Sequence, residues 1–283
     1  MKLFILLFFF TFPVFSQSVS SFPAIFDGKS FRTLNTTDIS KMLEKYDVLL
    51  IGEEHDDKEG HKEKLKLFQA LAEDYKGKLS LSMEMFSADK QEVLDEYLSG
   101  TIREKDFLKT SEPWNNYTEA YRPLIEHAKE KGIEVIAANA PSRYVSLVGR
   151  EGWRALAKLS SAKKLLPPVY TILAFPDRNY RKRFYSLMGN IHPNKMETQF
   201  FQAQRLWDAS MSHHIYNHSM ETGKKIVHIN GRFHSDEFGG VYFRLKRMGL
   251  KVLSLSMFPL KTKTFQQKDY VNIADILYIS GQK

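Results

Sequence analysis

Short, continuously apolar runs alternate along the chain with longer segments in which apolar residues recur at helical spacing. The runs predict strands buried on both faces, and they lie at residues 48–51, 79–85, 133–138, 225–230 and 251–257, with a last short strand at 276–279. Between the first two runs, residues 57–75 place Leu65, Phe68 and Leu71 on one side of a helix that stops near Gly77. Because strands that alternate with helices form parallel sheets, the pattern predicts an α/β fold with a parallel β-sheet flanked by helices.

The alternation is interrupted between residues 142 and 222, where helical periodicity continues without a strand. The longest predicted helix, residues 196–220, lies in this part. We therefore expect a smaller helical subdomain, residues 142–222, inserted into a sheet domain made of residues 17–141 and 223–283. Residues 18–41 are expected to be an edge or lead-in segment.

The first residues have the pattern of a secretory signal. Met1-Lys2 is a short basic start, residues 3–12 are apolar, and Val14-Phe15-Ser16 fits a small-residue cleavage site. The apolar run is too short to span a membrane as a helix. We therefore predict a signal peptide at residues 1–16 and an exported protein, either periplasmic or secreted.

Amino-acid composition and net charge limit the kinds of ligand and macromolecule that this chain is expected to bind. The chain has no cysteine, which excludes disulfides, thiolate metal sites and a lipid-modified N-terminal cysteine. The formal net charge is +8, but the basic residues form no stripe interleaved with aromatic residues, so a nucleic-acid partner is not expected. An anionic ligand or a peripheral contact with a membrane surface is compatible with this charge. No other stretch approaches transmembrane length, so no transmembrane segment is expected.

Ionisable residues cluster where a parallel sheet binds its ligands, at the carboxyl ends of the strands. Glu53, Glu54 and His55 close the first predicted strand, Glu84 interrupts the second, and His234 follows the fourth. A carboxylate in an apolar run is costly to bury without a partner, so Glu84 is the sharpest of these signals. Because carboxylates and imidazoles together bind metals or transfer protons, these residues are candidates for a divalent metal site or for acid–base catalysis. The same reasoning makes His55, Glu84 and His234 the candidate ligands of a divalent metal.

The long predicted helix adds a polar pair to an otherwise apolar face. Gln204 and Asp208 are spaced i, i+4 and therefore lie on one side of the helix. We expect this helix to cover the cleft, so that Gln204 and Asp208, together with Asn139 at the end of the third strand, line the pocket. The structural alternatives are that Asp208 pairs with Arg205 and that Asn139 caps a turn.

Two histidines on the same helix have metal-ligand spacing but are expected to be solvated. His214 and His218 are i, i+4, yet no carboxylate shares their stripe. The sequence also has no P-loop, no G-x-S-x-G elbow and no H-E-x-x-H motif.

The ordered set of motifs resembles the ChaN-like family of haem-binding uptake proteins, within the Tiki and erythromycin-esterase-like superfamily. The segments that carry the resemblance are Ile51-Gly52-Glu53-Glu54-His55-Asp56, Met83-Glu84-Met85-Phe86, Tyr121-Arg122-Pro123-Leu124, Ala138-Asn139-Ala140-Pro141, Ala203-Gln204-Arg205-Leu206-Trp207-Asp208-Ala209-Ser210-Met211 and Ile229-Asn230-Gly231-Arg232-Phe233-His234. The resemblance implies haem as cofactor, held at the contact of a homodimer, with a tyrosine on the iron. Tyr170, Tyr180 and Tyr185 in the helical insertion are the candidates.

Three hypotheses follow. The first is an exported haem-binding protein that serves haem or iron uptake or storage. The second is a hydrolase, metal-assisted or acid–base, that uses Glu54, His55, Glu84 and His234. The third is a binding module in which this cluster is only a structural polar network.

Overall fold

An eight-stranded sheet forms the centre of the computed structural model, which describes residues 22–189, 194–260 and 265–281. The strands are β1 Ala24–Asp27, β2 Thr33–Leu34, β3 Val48–Glu53, β4 Leu79–Ser87, β5 Val135–Asn139, β6 Lys225–Gly231, β7 Val252–Pro259 and β8 Ile276–Ser280. Their order across the sheet is β2-β1-β8-β7-β3-β6-β4-β5. The predicted signal peptide, residues 1–16, lies outside the described residues.

Strands β3 to β8 pair in parallel, which confirms the predicted α/β fold. Residues 18–41 were predicted as an edge or lead-in segment, and their strands β1 and β2 form one edge of the sheet. These strands pair antiparallel with each other, and β1 pairs antiparallel with β8. Two strands of four and two residues are too short to show alternation, so their positions were not predicted.

Helices cover both faces of the sheet. They are α1 Thr36–Leu43, α2 Lys58–Asp74, α3 Gln91–Leu98, α4 Glu104–Ser111, α5 Tyr117–Ala120, α6 Arg122–Lys131, α7 Ser142–Glu151, α8 Val169–Leu173, α9 Arg178–Leu187, α10 Lys195–Thr222 and α11 Gly240–Arg247. The predicted helix at 114–131 is divided into α5 and α6, and Pro123 occupies the first turn of α6, where its missing N–H costs no helical hydrogen bond.

Alternate strand residues face two separate hydrophobic layers. Leu49 and Ile51 of β3 belong to the larger cluster, which packs under α1 to α6. Val48 and Leu50 face the other way, toward Met211 of α10 and the residues of α11. A strand that is apolar at every position therefore follows from a sheet that is covered on both sides.

The helical insertion is attached to the sheet through α10. Its first part, with α7 and α8, forms a cluster of its own that includes Tyr144, Val148 and Ile172. Helix α10 begins at a capping box made by Asn194 and Glu197 and then runs 28 residues back across the sheet. This path brings the middle of α10 over the carboxyl edge of the parallel strands. No helix of the described residues is long and apolar enough to cross a membrane.

Candidate functional site

Three adjacent strands deliver the candidate site. Strand β6 lies between β3 and β4. The carboxyl ends of these three parallel strands, and the residues that follow them, therefore meet at one edge of the sheet. Glu53 and His55 come from β3, Glu84 from β4, and Gly231 to His234 from β6. Strand β4 is the next strand after β3 in the sequence, whereas β6 comes later in the sequence but lies between them in the sheet. This edge is therefore a topological switch point.

Glu53 is the centre of a buried polar network. Its side chain is 2% exposed and is ion-paired with Lys64, whose side chain is fully buried. The Tyr121 hydroxyl donates to Glu53 Oε1 at 2.6 Å, and His61 Nδ1 lies 3.4 Å from Oε2. Burial alone would raise the pKa of Glu53, but Lys64, followed by His55 and His61, holds it well below its usual range. Glu53 is therefore a carboxylate with several partners and no direct role at the surface.

The same carboxylate orients His55. His55 Nδ1 lies 3.2 Å from Glu53 Oε1, and the His55 carbonyl accepts hydrogen bonds from Asn116 at 2.8 Å and from His61 at 3.1 Å. The other ring nitrogen, Nε2, points toward Gly231, where an added Cβ would come within 2.7 Å of it. Glycine at position 231 is thus required by the close approach of the imidazole. His55 is the partly open member of the cluster, with 41% of its side chain exposed.

A second buried group places His234 between two carboxylates. His234 Nδ1 lies 2.6 Å from Asp208 Oδ1, and Nε2 lies 3.5 Å from Glu84 Oε1. The Gly231 N–H donates to Glu84 Oε2 at 2.7 Å, and Gln204 lies 3.3 Å from His234 Nδ1. Asp208 and Gln204 of α10 therefore do reach into the edge of the sheet. The alternative partner Arg205 instead donates to the Ala174 carbonyl.

The charges in this group stabilise a proton on His234. Burial would lower its pKa, but Glu84 and then Asp208 raise the pKa of His234 to about 10. Burial would raise the pKa of Glu84, yet His234 and the Gly231 N–H keep it below its usual value. Both ring nitrogens of His234 therefore face carboxylates.

The expected divalent metal is not supported. In the described ranges no group of three or more His, Cys, Asp or Glu residues has the arrangement of a metal site.

A cavity of about 770 Å³ opens above the cluster. His55, His234 and Glu53 lie at its polar end, while Arg183 and Arg232 line its sides. Its wall has an apolar part made of Phe184, Leu187, Met188, Phe233 and Ile273. The cavity therefore suits a ligand with an apolar body and a polar group directed at the histidines.

The remaining predicted residues lie around this centre. Glu54 lines the cavity but is ion-paired with Arg232, so it is separated from the His234 group. Asn139 donates to the Glu84 carbonyl at 2.9 Å and accepts from the Ala140 N–H, which ties β5 to β4 and places Asn139 behind the cavity wall. Asn230 donates to Ser235 at 3.1 Å.

The paired histidines of α10 are not solvated as expected. Burial lowers the pKa of His214 to about 4, and His218 lies 2.8 Å from the Ser80 hydroxyl. Both are buried or half-buried because the carboxyl half of α10 packs on the sheet and on the insertion, a contact that the spacing alone does not reveal.

The three candidate tyrosines differ in accessibility. Tyr170 of α8 is 75% exposed, whereas Tyr180 and Tyr185 of α9 are 4% and 5% exposed. The Tyr180 hydroxyl accepts a hydrogen bond from Gln204 at 2.9 Å, and burial together with Asp208 raises the pKa of Tyr180 well above its usual value.

Three partners of Glu53 were missed at the level of sequence: His61, Lys64 and Tyr121. A signal for one of them exists, because Lys64 lies on the same helical stripe as Leu67, Phe68 and Leu71, which the structure buries. A lysine on an apolar stripe indicates a buried counter-charge nearby. No such signal exists for Tyr121, which has the pattern of an ordinary core aromatic.

Comparisons with known proteins agree with these motifs. A family model described as haem-binding uptake, Tiki superfamily, ChaN, matches residues 39–245. The chain belongs to this family. The matched range contains all of the residues described above at the carboxyl edge, and this family membership supports haem binding and uptake as the general role.

Solved structures support the fold. The chain is similar to ChaN of Campylobacter jejuni, described with cofacial haem binding, at a TM-score of 0.67 and 14% identity over 91% of this chain and 96% of that one. At this identity the similarity shows the shared fold. An erythromycin esterase in an open conformation has a TM-score of 0.47 and 12% identity over 84% of this chain and 77% of that chain, which is too distant to support an argument.

One curated relative matches only locally. Protein RETICULATA-RELATED 5, chloroplastic, of Arabidopsis thaliana is 30% identical over 91 residues, which are 32% of this chain. The match spans 12% of the length of that protein.

Proposed function

We propose that this protein is an exported haem-binding protein that serves haem or iron uptake, and that Tyr170 is the ligand of the haem iron. Family membership supports the haem, and the exposure of Tyr170 is the observation that supports the ligand. A tyrosine binds ferric haem as its phenolate through an accessible oxygen. Of the three candidates, Tyr170 alone has an open side chain.

The surroundings of Tyr170 fit a porphyrin. Leu173, one turn further along α8, is also exposed, so an apolar residue lies beside the phenol on the same helix face. Helix α8 is anchored from behind, because Arg244 donates to the Thr171 and Ile172 carbonyls and Arg205 donates to the Ala174 carbonyl. The helix therefore holds Tyr170 outward on a fixed support. When bound, haem would supply the iron centre, and this chain would supply the phenolate and the apolar surface.

A haemin titration followed by absorbance tests this proposal. Tyr170→Phe is expected to remove the ferric phenolate absorption and to weaken haemin binding by roughly tenfold or more. Tyr216→Phe is the control, because this partly buried tyrosine of α10 packs against the sheet and α11, and it should leave the spectrum unchanged. An unchanged spectrum in Tyr170→Phe would show that another residue binds the iron.

Assembly and location form part of the same proposal. ChaN of Campylobacter jejuni is described with cofacial haems, and an open tyrosine on an exposed surface suits a homodimer that closes around haem. Size-exclusion chromatography with and without haemin tests this, since a mass that does not change with haemin would argue against haem-linked assembly. Cleavage after residue 16 is tested by N-terminal sequencing of exported protein, and peripheral membrane contact by sedimentation with anionic vesicles.

The carboxyl-edge cavity favours a second candidate function, an acid–base hydrolase. The specific observation is that His55 has Nδ1 on Glu53 and Nε2 beside Gly231, and that His55 and Gly231 both line the cavity. A histidine held in this way accepts a proton from water at Nε2. His234 holds its own proton and, with Asp208, positions Glu84. Neither the proton transfer to His55 nor the positioning of Glu84 requires a metal.

Hydrolysis of a panel of aryl esters tests this candidate. Burial would lower the pKa of His55, but Glu53 and Glu84 raise it, so the rate should increase as the pH rises through a value above 6.5. His55→Gln should lower the rate by about 10²-fold or more, whereas His218→Gln on the far side of α10 should not. If His55→Gln hydrolysed the esters at the wild-type rate, the activity would come from a contaminant.

A further inference from the structure

A second cavity lies beside α8, separate from the cavity above His55. It has a volume of about 360 Å³ and is formed by residues of α8 to α11 and the segment between α8 and α9. Four arginines line it: Arg178, Arg181, Arg205 and Arg244. Leu173, Phe175, Pro176, Phe201 and Phe243 provide its apolar surfaces.

The positive charge in this cavity is only partly balanced by the protein, since two aspartates line it beside the four arginines. In residues 22–189, 194–260 and 265–281, no carboxylate lies within 4.0 Å of any of the four guanidinium groups. The two aspartates of the lining have other partners, since Asp177 caps the first turn of α9 and Asp208 binds His234. The cavity is therefore a concentration of cations with an excess over its anions.

Two of these cations are held where water compensates them poorly. Arg244 is 5% exposed, and burial lowers its pKa to about 10 even though Asp208 acts in the opposite direction. Burial lowers the pKa of Arg205 as well. The Thr171 and Ile172 carbonyls of α8 accept two N–H groups of Arg244, and the Ala174 carbonyl, directly after α8, accepts one N–H group of Arg205. A guanidinium has five N–H donors, so each keeps donors for a ligand.

We propose that this arginine-lined cavity binds the propionate carboxylates of the haem whose iron is bound by Tyr170. The inference rests on the proposed haem function. Leu173 lines the cavity and lies one turn from Tyr170 on the same helix, so a flat ligand on α8 reaches both. A porphyrin has an apolar body and two carboxylates on one edge, which matches apolar walls next to unpaired arginines.

The test compares haemin with haemin dimethyl ester, in which both carboxylates are blocked. Dissociation constants of the two are measured by absorbance for the wild type, for Arg178→Gln with Arg181→Gln, and for Lys182→Gln. Arg181 and Lys182 are neighbours on α9 and both exposed, so Lys182→Gln controls for the loss of charge alone. We expect the wild type to bind haemin at least tenfold more tightly than the ester. The double variant should lose most of this preference while binding the ester as the wild type does, and Lys182→Gln should keep the preference.

The possible results separate the inference from the function on which it rests. If the wild type binds haemin and the ester equally, or if the double variant weakens both by the same factor, the propionate site is overturned while haem binding stands. If the wild type binds neither, the proposed function and this inference fail together. If Tyr170→Phe loses the iron spectrum but keeps the preference for the free acid, both parts are supported independently.

Discussion

Two buried carboxylates, separated in the sheet only by β6, keep their negative charge in different ways. Glu53 at the end of β3 is ion-paired with the fully buried Lys64 and is surrounded by His55, His61 and Tyr121. Glu84 in β4 depends on the imidazolium of His234 and on a single backbone N–H. The first arrangement combines one ion pair with three further partners, whereas the second depends on one imidazolium and one backbone N–H. The difference indicates that the Glu53 network is a support for His55 with several partners, and that the charge of Glu84 depends mainly on the proton of His234.

The largest expected effect comes from removing the buried cation. Lys64→Met leaves Glu53 buried without its main counter-charge, and breaking one partner of a buried pair costs about 3–5 kcal/mol. The free energy of unfolding from urea denaturation measures this loss. Lys62→Met, two residues earlier with an exposed side chain, should change it by less than about 1 kcal/mol.

A double variant separates the charge from the packing. Adding Glu53→Gln to Lys64→Met should recover part of the lost free energy, because the uncompensated charge is then gone. If the double variant is less stable than Lys64→Met alone, the cost arises from lost packing, and Glu53 is not balanced mainly by Lys64.

The amount that sequence reasoning can recover differs between these two groups. The burial of Glu84 follows from its place in an apolar run, and the inward position of Asp208 follows from helical spacing. The pairing of Glu84 with His234 does not follow from the sequence, because it requires β6 to lie between β3 and β4. The rules for crossover connections do not determine that strand order. An edge or lead-in segment was predicted at residues 18–41, but β1 and β2 were not placed individually, since they are too short to show a pattern. The network around Glu53 was missed because a tyrosine that hydrogen-bonds a buried carboxylate has the same spacing along the helix as an ordinary core aromatic. Only Lys64 carried a usable signal.

The next effect concerns pH and tests whether Glu84 depends on a removable proton. The pKa of His234 is raised from 6.5 to about 10 in the folded protein. The stability that its proton contributes is therefore fully present below pH 6.5 and is lost as the pH rises toward 10. The difference in unfolding free energy between wild type and His234→Gln should fall as the pH rises, by at most about 1.4 kcal/mol per pH unit.

His218→Gln is the control for this pH series. Burial lowers the pKa of His218, so its titration lies below this window, and its difference from the wild type should stay constant. A constant difference for His234→Gln would show that Glu84 is held by the Gly231 N–H alone, and the contrast with Glu53 would then disappear.

The smallest expected effect tests whether Glu53 has more hydrogen-bond and ion-pair partners than its stability in the folded protein requires. Tyr121→Phe removes a hydroxyl that donates to Glu53 at 2.6 Å, but Lys64 and the two histidines remain. A hydrogen bond to a charged group contributes about 1.5–3 kcal/mol, and we expect the low end of this range because the carboxylate keeps its cation. The loss is measured by urea denaturation at neutral pH.

Tyr117→Phe is the matched control, because Tyr117 lies one turn earlier, is equally buried, and has a hydroxyl without a hydrogen-bond partner among the described residues. Deleting that hydroxyl should leave the unfolding free energy unchanged or slightly raise it, since an unpaired buried group is removed. If Tyr121→Phe cost as much as Lys64→Met, Glu53 would depend on each partner equally. The Glu53 network would then be a single cooperative unit, as readily disrupted as the Glu84 group, and would not be the rigid support that His55 requires.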